Sequence, residues 1–66
     1  MKLIRRNVVL ERCSISNTTL HRLIEAGKFP PAVMITSRRV AWVEHEVDEW
    51  IAQRIREQRG EDQNRE

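Results

Sequence analysis

The segment CSISNTTLHRLIEAGKF in the first half of the chain fits one local structure: a turn, a capped helix and a helix stop. Ser16 is a good N-cap, because its hydroxyl can accept a hydrogen bond from a free backbone N–H of the first turn. Three apolar residues recur at helical spacing and form one stripe: Leu20, Leu23 and Ile24. Gly27 ends the helix, since glycine adopts the left-handed conformation after a helix without steric cost. The sequence therefore predicts an amphipathic helix with defined ends.

The opposite face of this helix carries short polar side chains and one long cation. These residues are Asn17, Thr18, His21 and Arg22, and the single acid, Glu25, lies near the far end. A helix that is apolar on one side and rich in hydrogen-bond donors on the other has the format of a DNA recognition helix. The pattern therefore favours a helix held by the rest of the chain and presented to a nucleic acid.

The chain is long enough for one small domain with a thin core, because it has only 66 residues. We expect this domain to occupy residues 1–58, followed by a polar and disordered tail over residues 59–66. The single cysteine, Cys13, excludes an internal disulfide framework and favours a reducing, cytoplasmic setting. The N-terminal residues do not form a signal peptide, and no apolar run reaches membrane-spanning length, so we expect no membrane partner.

The net charge of +2 conceals a strong asymmetry between the two parts of the chain. Residues 1–43 contain eight basic and two acidic residues, a net charge of +6, whereas residues 44–66 contain four basic and eight acidic residues, a net charge of −4. Such an asymmetry favours one side that faces a polyanion and one side that is turned away from it. Ordinary surface charge, with the bias that a helix dipole imposes, remains the alternative explanation.

Short elements are predicted on both sides of the central helix. A first helix is expected at about Asn7–Arg12 with Asn7 as its cap, which makes a helix-turn-helix with the central helix. Two prolines then force an extended path, and the apolar segments AVMI and VAWV around the loop TSRR predict a β-hairpin. Because this loop has no glycine, we expect a longer connection than a two-residue turn.

The last helix is predicted at about Glu44–Gln58, with acids in its first turns and arginines in its later turns, as the helix dipole favours. Four apolar residues share one face of this helix: Val47, Trp50, Ile51 and Ile55. We expect Trp50 to pack with Phe29 and Trp42 in the core, and the acidic start to face away from a polyanion. The fold class is mainly α with a small β-hairpin, a winged helix-turn-helix of three helices and a two-stranded wing.

The order of these elements resembles the AlpA family of phage and genomic-island regulators, which are winged-helix proteins related to MerR-like and excisionase DNA-binding domains. The stretches that carry the resemblance are Ile15-Ser16, NTTLHRLI, Gly27-Lys28-Phe29-Pro30, the hairpin up to Trp42, and EVDEWI. The resemblance spans about residues 3–55. Ser14, His21 and Thr36 depart from it, since they stand where the family usually has glycine, tyrosine and glycine. Base preference can therefore differ from that of relatives.

The resemblance implies a sequence-specific double-stranded DNA-binding protein without catalysis, acting as a transcriptional regulator of an integrase gene or as an excisionase. The expected recognition-helix residues are Ser16, Asn17, Thr18, Thr19, His21 and Arg22. The expected wing residues are Thr36, Ser37, Arg38 and Arg39, and the weaker phosphate candidates are Arg5, Arg6 and Lys28. An integrase and neighbouring copies of the chain on tandem sites are the expected protein partners.

Other functions are less compatible with the residues present. A catalytic triad would need a pocket that the chain is too small to build, and one cysteine with two histidines, His21 and His45, does not supply a typical zinc site. We expect no cofactor, no metal and no small-molecule ligand. The alternative from another class is an adaptor that docks an integrase or a repressor without specific DNA binding. Replacing Arg22, Arg38 and Arg39 would separate the two, because an adaptor does not need these cations.

Overall fold

The described part of the chain forms three helices and three short strands. The computed structural model describes the backbone of residues 1–64 and the side chains of residues 1–60. The elements, in order, are β1 (Leu3–Ile4), α1 (Arg6–Cys13), α2 (Asn17–Glu25), β2 (Val33–Met34), β3 (Val40–Val43) and α3 (Glu44–Asn64). The predicted fold class, mainly α with a β wing in a winged helix-turn-helix, is confirmed.

The sheet has one strand more than the predicted hairpin. Its order is β1-β3-β2, and both pairs are antiparallel. In the added pair Ile4 lies opposite Trp42, and the backbone N–H of Glu44 donates to the carbonyl of Lys2 over 2.8 Å. The β1 strand has only two residues, too few to show the alternation of side chains that reveals a strand in a sequence.

Every element except β2 contributes a side chain to the hydrophobic core. Its buried members are Ile4, Val9, Leu20, Phe29, Trp42 and Val47. Burying an aliphatic side chain of this size contributes about 1.5–3 kcal/mol, so these few residues carry most of the stability of so short a chain. Strand β2 and the residue after it lie outside this cluster, and their apolar side chains Val33, Met34 and Ile35 are exposed. The wing therefore projects from the body of the domain.

Helix α1 begins one residue earlier than predicted and has a different cap. Arg5 occupies the N-cap position, where its extended backbone has φ −79° and ψ 166°, and no side chain caps the helix. The first helical hydrogen bond runs from the N–H of Val9 to the carbonyl of Arg5 over 3.0 Å. The predicted cap at Asn7 is wrong, because the chain turns from strand β1 directly into the helix and places Asn7 in its first turn.

The turn between α1 and α2 depends on Ser14, which has φ 57° and ψ 44°, in the left-handed region. The N–H of Ser14 donates to the carbonyl of Glu11, and that of Ile15 donates to the carbonyl of Leu10. This pair of bonds closes α1 in the way a Schellman motif does. Serine at a position suited to glycine is therefore compatible with a tight turn, at a conformational cost.

We expect Ser14→Gly to stabilise the protein by about 0.5–1 kcal/mol, because glycine adopts the left-handed conformation without the clash of a Cβ atom. Urea unfolding followed by circular dichroism would measure the free energy of unfolding. Ser14→Ala is the matched control, since it removes the hydroxyl but keeps the Cβ atom, and it should give no such gain. A Ser14→Gly variant no more stable than the wild type would contradict this account of the turn.

Both predicted ends of α2 are confirmed. The Ser16 side chain accepts a hydrogen bond from the backbone N–H of Thr19 over 3.2 Å. At the other end Gly27 has φ 72°, and the N–H of Lys28 donates to the carbonyl of Leu23 over 2.8 Å. The helix that carries the candidate readout residues is thus fastened at both ends by local hydrogen bonds.

Helix α3 is longer than predicted and continues to Asn64 instead of ending near Gln58. Gly60 does not stop it, because a glycine inside a helix costs only about 1 kcal/mol and its neighbours are helix-forming Glu, Gln and Arg. Val47 is fully buried, whereas Ile55, predicted on the same face, is 46% exposed because it lies two turns beyond Val47. The predicted disorder of residues 59–66 stays a prediction, and residues 65–66 lie outside the described part of the chain.

The predicted contact between Trp50 and Phe29 is present. Their ring centroids are 4.8 Å apart in an edge-to-face arrangement, which is the preferred geometry for an aromatic pair. The Trp50 indole N–H also donates to the carbonyl of Lys28 over 2.7 Å. Together with Trp42 in the core, these contacts hold α3 against the segment that follows α2. Over the described residues, none of the helices has the length and apolar character that crossing a membrane requires.

Candidate nucleic-acid interface

The polar face of α2 is open to solvent, as a readout surface must be. All six predicted recognition-helix residues are exposed: Ser16, Asn17, Thr18, Thr19, His21 and Arg22. Leu20 between them is buried in the core, so the helix is anchored through one face and presents the other. The division of α2 into a buried and an exposed face was predictable, because it depends only on the spacing of residues along one helix.

Two of these residues have hydrogen-bond partners within the helix. The Ser16 hydroxyl donates to the Thr19 hydroxyl oxygen over 3.1 Å, in addition to accepting from the backbone N–H of Thr19. The pair therefore stabilises the first turn of α2. Four side chains remain for contacts with a ligand: Asn17, Thr18, His21 and Arg22.

Arg6 joins the start of α1 to the exposed face of α2. Its Nη1 atom donates to Oδ1 of Asn17 over 2.9 Å and lies 3.5 Å from Nε2 of His21. The guanidinium carbon is 5.7 Å from the centre of the Trp42 ring. The sequence predicted Arg6 only as a weak phosphate contact. Its contacts lie 11 and 15 residues away along the chain, and no sequence pattern reports contacts of that kind.

The side chain of Thr36 closes the wing loop through hydrogen bonds, so the loop needs no glycine. The Thr36 hydroxyl accepts from the backbone N–H groups of Arg38 and Arg39 over 3.2 and 3.1 Å. The N–H of Ile35 donates to the carbonyl of Arg39 over 2.8 Å. Thr36 thereby organises the loop, while Ser37, Arg38 and Arg39 are exposed. The predicted longer loop is confirmed, and the serine and arginines are its available groups.

A shallow groove connects the wing to the N-terminal segment. Its lining includes Arg5 and Arg6 from the N-terminal segment, Arg38 and Arg39 from the wing, and apolar residues such as Ile35 and Ala41. Because Arg6 also contacts α2, the wing, the groove and the recognition face form one continuous surface. We call this surface the arginine groove face, made of the α2 polar residues, Arg5, Arg6 and the wing arginines.

The cations of this face have no acidic partner among the described side chains. Within residues 1–60 the ion pairs involve Arg12, His45 and Arg54. Uncompensated arginines crowded along one groove repel each other, and a polyanion would relieve that repulsion. The sequence asymmetry in charge therefore corresponds to a defined surface.

Arg12 differs from the other arginines of residues 1–43, because it forms ion pairs with acidic side chains. It donates to Glu44 over 2.7 Å and to Asp48 over 3.1 Å, and the hydrogen bond that Glu44 accepts is the main cause that raises the pKa of Arg12 above the ordinary value. These contacts fasten α1 to the acidic start of α3. The side chain of Arg12 therefore serves to hold these two helices together.

Lys28 is not brought to the arginine groove face. It lines a different groove, between the end of α2 and α3, together with Glu46, Glu49 and Trp50. The sequence pattern could not separate Lys28 from the other cations, because its direction depends on how α3 packs. Its predicted phosphate contact stays a prediction.

The described residues contain no group of three or more His, Cys, Asp or Glu side chains that could hold a metal ion. Cys13 is half-buried, and burial, followed by the charge of Asp48, raises the pKa of its thiol. A raised pKa lowers the thiolate fraction and so makes Cys13 a poorer nucleophile. His45 is exposed at the start of α3, close to Glu49 at 3.7 Å.

Comparison with known proteins agrees with this architecture. A family model described as Prophage CP4-57 regulatory protein (AlpA) matches residues 2–55, a range that includes every candidate site residue. The chain is also similar to Uncharacterized protein ORF88 of Enterobacteria phage P4, with 43% identity over 47 residues that cover 71% of this chain. The chain spans about half of that relative, 53% of its length. The chain belongs to the AlpA family of phage regulatory proteins.

Proposed function

We propose that the protein binds double-stranded DNA sequence-specifically and regulates the transcription of an integrase gene in a phage or genomic island, or acts there as an excisionase. The observation that carries this proposal is the arginine groove face, in which a helix-turn-helix readout face and a basic wing are continuous. Membership of a family of phage regulatory proteins supports the same function.

Readout would be carried out by α2. Its nine residues make a helix about 13 Å long, and the diameter of a helix with its side chains, about 10–12 Å, fits a major groove about 12 Å wide. Asn17, Thr18, His21 and Arg22 would then face the base edges, where hydrogen bonds distinguish one base pair from another. Such contacts give sequence preference, and they add to an affinity that phosphate contacts supply.

Phosphate affinity would come from the arginines of the wing and of the N-terminal segment. Arg38 and Arg39 project from the loop that Thr36 closes, and Arg5 lines the same groove. Contacts of this kind neutralise backbone charges and release counterions, so the affinity should fall steeply as the salt concentration rises. The acidic start of α3, tied to Arg12, would lie on the side turned away from the DNA.

The α3 helix uses Val47 and Trp50 for the core, so its described side chains, up to residue 60, leave no extended apolar face for a dimer. We therefore infer that the protein binds as a monomer in the bacterial cytoplasm, with neighbouring copies on tandem sites or an integrase as protein partners. An excisionase would bind several sites in direct orientation and bend the DNA. A conventional regulator would bind an isolated or inverted site.

Selection of bound duplexes from a random double-stranded DNA pool tests this function. We expect enrichment of a defined motif at low and moderate salt. Directly repeated motifs with footprints over neighbouring copies would support the excisionase role, and one isolated or inverted motif would support transcriptional regulation. If nothing is enriched and all binding disappears as salt rises, specific DNA binding is excluded in favour of the adaptor.

A further inference from the structure

The contacts of Arg6 determine which hydrogen-bonding groups α2 has left to offer. An arginine side chain carries donors only, so the atom of Asn17 that faces Arg6 must be its amide oxygen. The oxygen and the NH2 group of an amide lie on opposite sides of the same carbon. Engaging the oxygen therefore leaves the NH2 group, which has no partner among the described residues, as the group that Asn17 presents.

The same reasoning applies to His21. The Nη1 atom of Arg6 has two hydrogens, and Nε2 of His21 lies 3.5 Å from it. In the tautomer that accepts from Arg6 at Nε2, the neutral ring carries its N–H on Nδ1. Asn17, His21 and the guanidinium of Arg22 then all present donors on one exposed helix face.

A face of donors discriminates among bases by what each base shows in the major groove. Guanine shows two acceptors and thymine shows one, whereas adenine shows one acceptor, N7, beside an amino group that donates, and cytosine shows only an amino group that donates. An asparagine usually reads adenine with its oxygen and its NH2 group together. An asparagine whose oxygen already accepts from an arginine has one lone pair left for the adenine amino group, whereas both hydrogens of its NH2 group stay available.

We propose that Arg6 is a positioning residue for base readout, which holds Asn17 and His21 so that α2 selects the keto bases guanine or thymine instead of adenine. This proposal rests on the proposed function, since it specifies what the recognition face reads. The proposal also changes the expected role of Arg6 from a phosphate contact to a positioning residue. The guanidinium is hydrogen-bonded to Asn17 and lies over the Trp42 ring, so the protein sets its direction.

The test compares the duplexes selected by the wild type, Asn17→Ala and Arg6→Met. Methionine retains an aliphatic cover over Trp42 and removes the donors, so the fold should survive, and thermal melting would verify this. Asn17→Ala identifies the base position that Asn17 reads. We expect guanine or thymine there in the wild type, and a preference over adenine that falls about tenfold in Arg6→Met.

Arg5→Met is the matched control, because Arg5 is the neighbouring arginine with no hydrogen-bond partner among the described side chains. We expect it to keep the wild-type motif and to reduce the slope of log affinity against log salt by about 0.9, the value for one phosphate contact. Arg6→Met should leave that slope unchanged. Arg6→Lys retains a donor and a charge, and partial recovery of the base preference in this variant supports positioning by Arg6.

Three results would overturn the proposal. Arg6→Met with an unaltered motif and a slope reduced by about 0.9 would make Arg6 a phosphate contact like Arg5. Adenine at the position that Asn17 reads would show that the oxygen of Asn17 is available to a base. A wild-type protein that enriches no motif would overturn the proposed function itself, and the role of Arg6 with it, whereas the first two results leave DNA binding intact.

Discussion

Changing both wing arginines to alanine, Arg38→Ala with Arg39→Ala, is expected to weaken binding to the selected duplex about 100–10,000-fold at moderate salt. Each arginine would lose a charge-assisted contact to a phosphate, worth about 1.5–3 kcal/mol before the salt effect is considered. The slope of log affinity against log salt should become shallower by about two, since 0.9 is expected for each phosphate. Fluorescence anisotropy with a labelled duplex over a range of salt concentrations measures both quantities.

The matched control removes two arginines from the other side of the molecule, Arg56→Ala with Arg59→Ala. These residues lie on the exposed later turns of α3, and the double change alters the net charge by the same amount. We expect little change in affinity or in the slope. Equal losses in both double variants would mean that overall charge, and not the wing, attracts the DNA. Unchanged binding in the wing variant would contradict the arginine groove face as the interface.

Trp42→Ala is expected to abolish stable folding. Trp42 is 1% exposed and lies at the centre of the sheet, in contact with the core formed by the helices. Truncating a buried tryptophan costs about 3–5 kcal/mol. A domain of this length typically has about 3–10 kcal/mol of stability in total. Urea unfolding followed by far-ultraviolet circular dichroism should show little or no folded baseline for this variant.

Trp42→Phe separates the packing of the ring from its polar group. The indole N–H of Trp42 is buried and has no hydrogen-bond partner among the described residues. Phenylalanine keeps an aromatic ring and removes this unpaired donor, so the loss of packing is partly offset. We expect a folded protein with a smaller loss of stability. A Trp42→Ala variant as stable as the wild type would show that the strand β3 does not organise the core.

Interactions between residues close in sequence made features of the helix-turn-helix predictable. Ser16 as N-cap and Gly27 after the helix were both predictable, because capping bonds join residues only three to five positions apart. The division of α2 into a buried and an exposed face follows from its periodicity. The wing was predictable for a similar reason, since two apolar segments flank a polar loop.

Other features escaped prediction because their causes lie far away in sequence. Strand β1 exists because Ile4 pairs with Trp42, 38 positions later. The cap of α1 moved from Asn7 to Arg5 because β1 leads straight into the helix. Helix α3 continues past Gly60, since a single glycine is a weak signal against helix-forming neighbours.

The sequence by itself determined the three helices and the hairpin, their order, the exposed polar face of α2 and the excess of positive charge over residues 1–43, because hydrogen bonds within a helix and the periodicity of side chains act over a few residues. Only the tertiary structure decided which cations serve the candidate interface. Packing ties Arg12 to α3, sends Lys28 to another groove and turns Arg6 onto Asn17. The direction of a long side chain depends on the neighbours that folding brings to it, and those neighbours are remote in the chain.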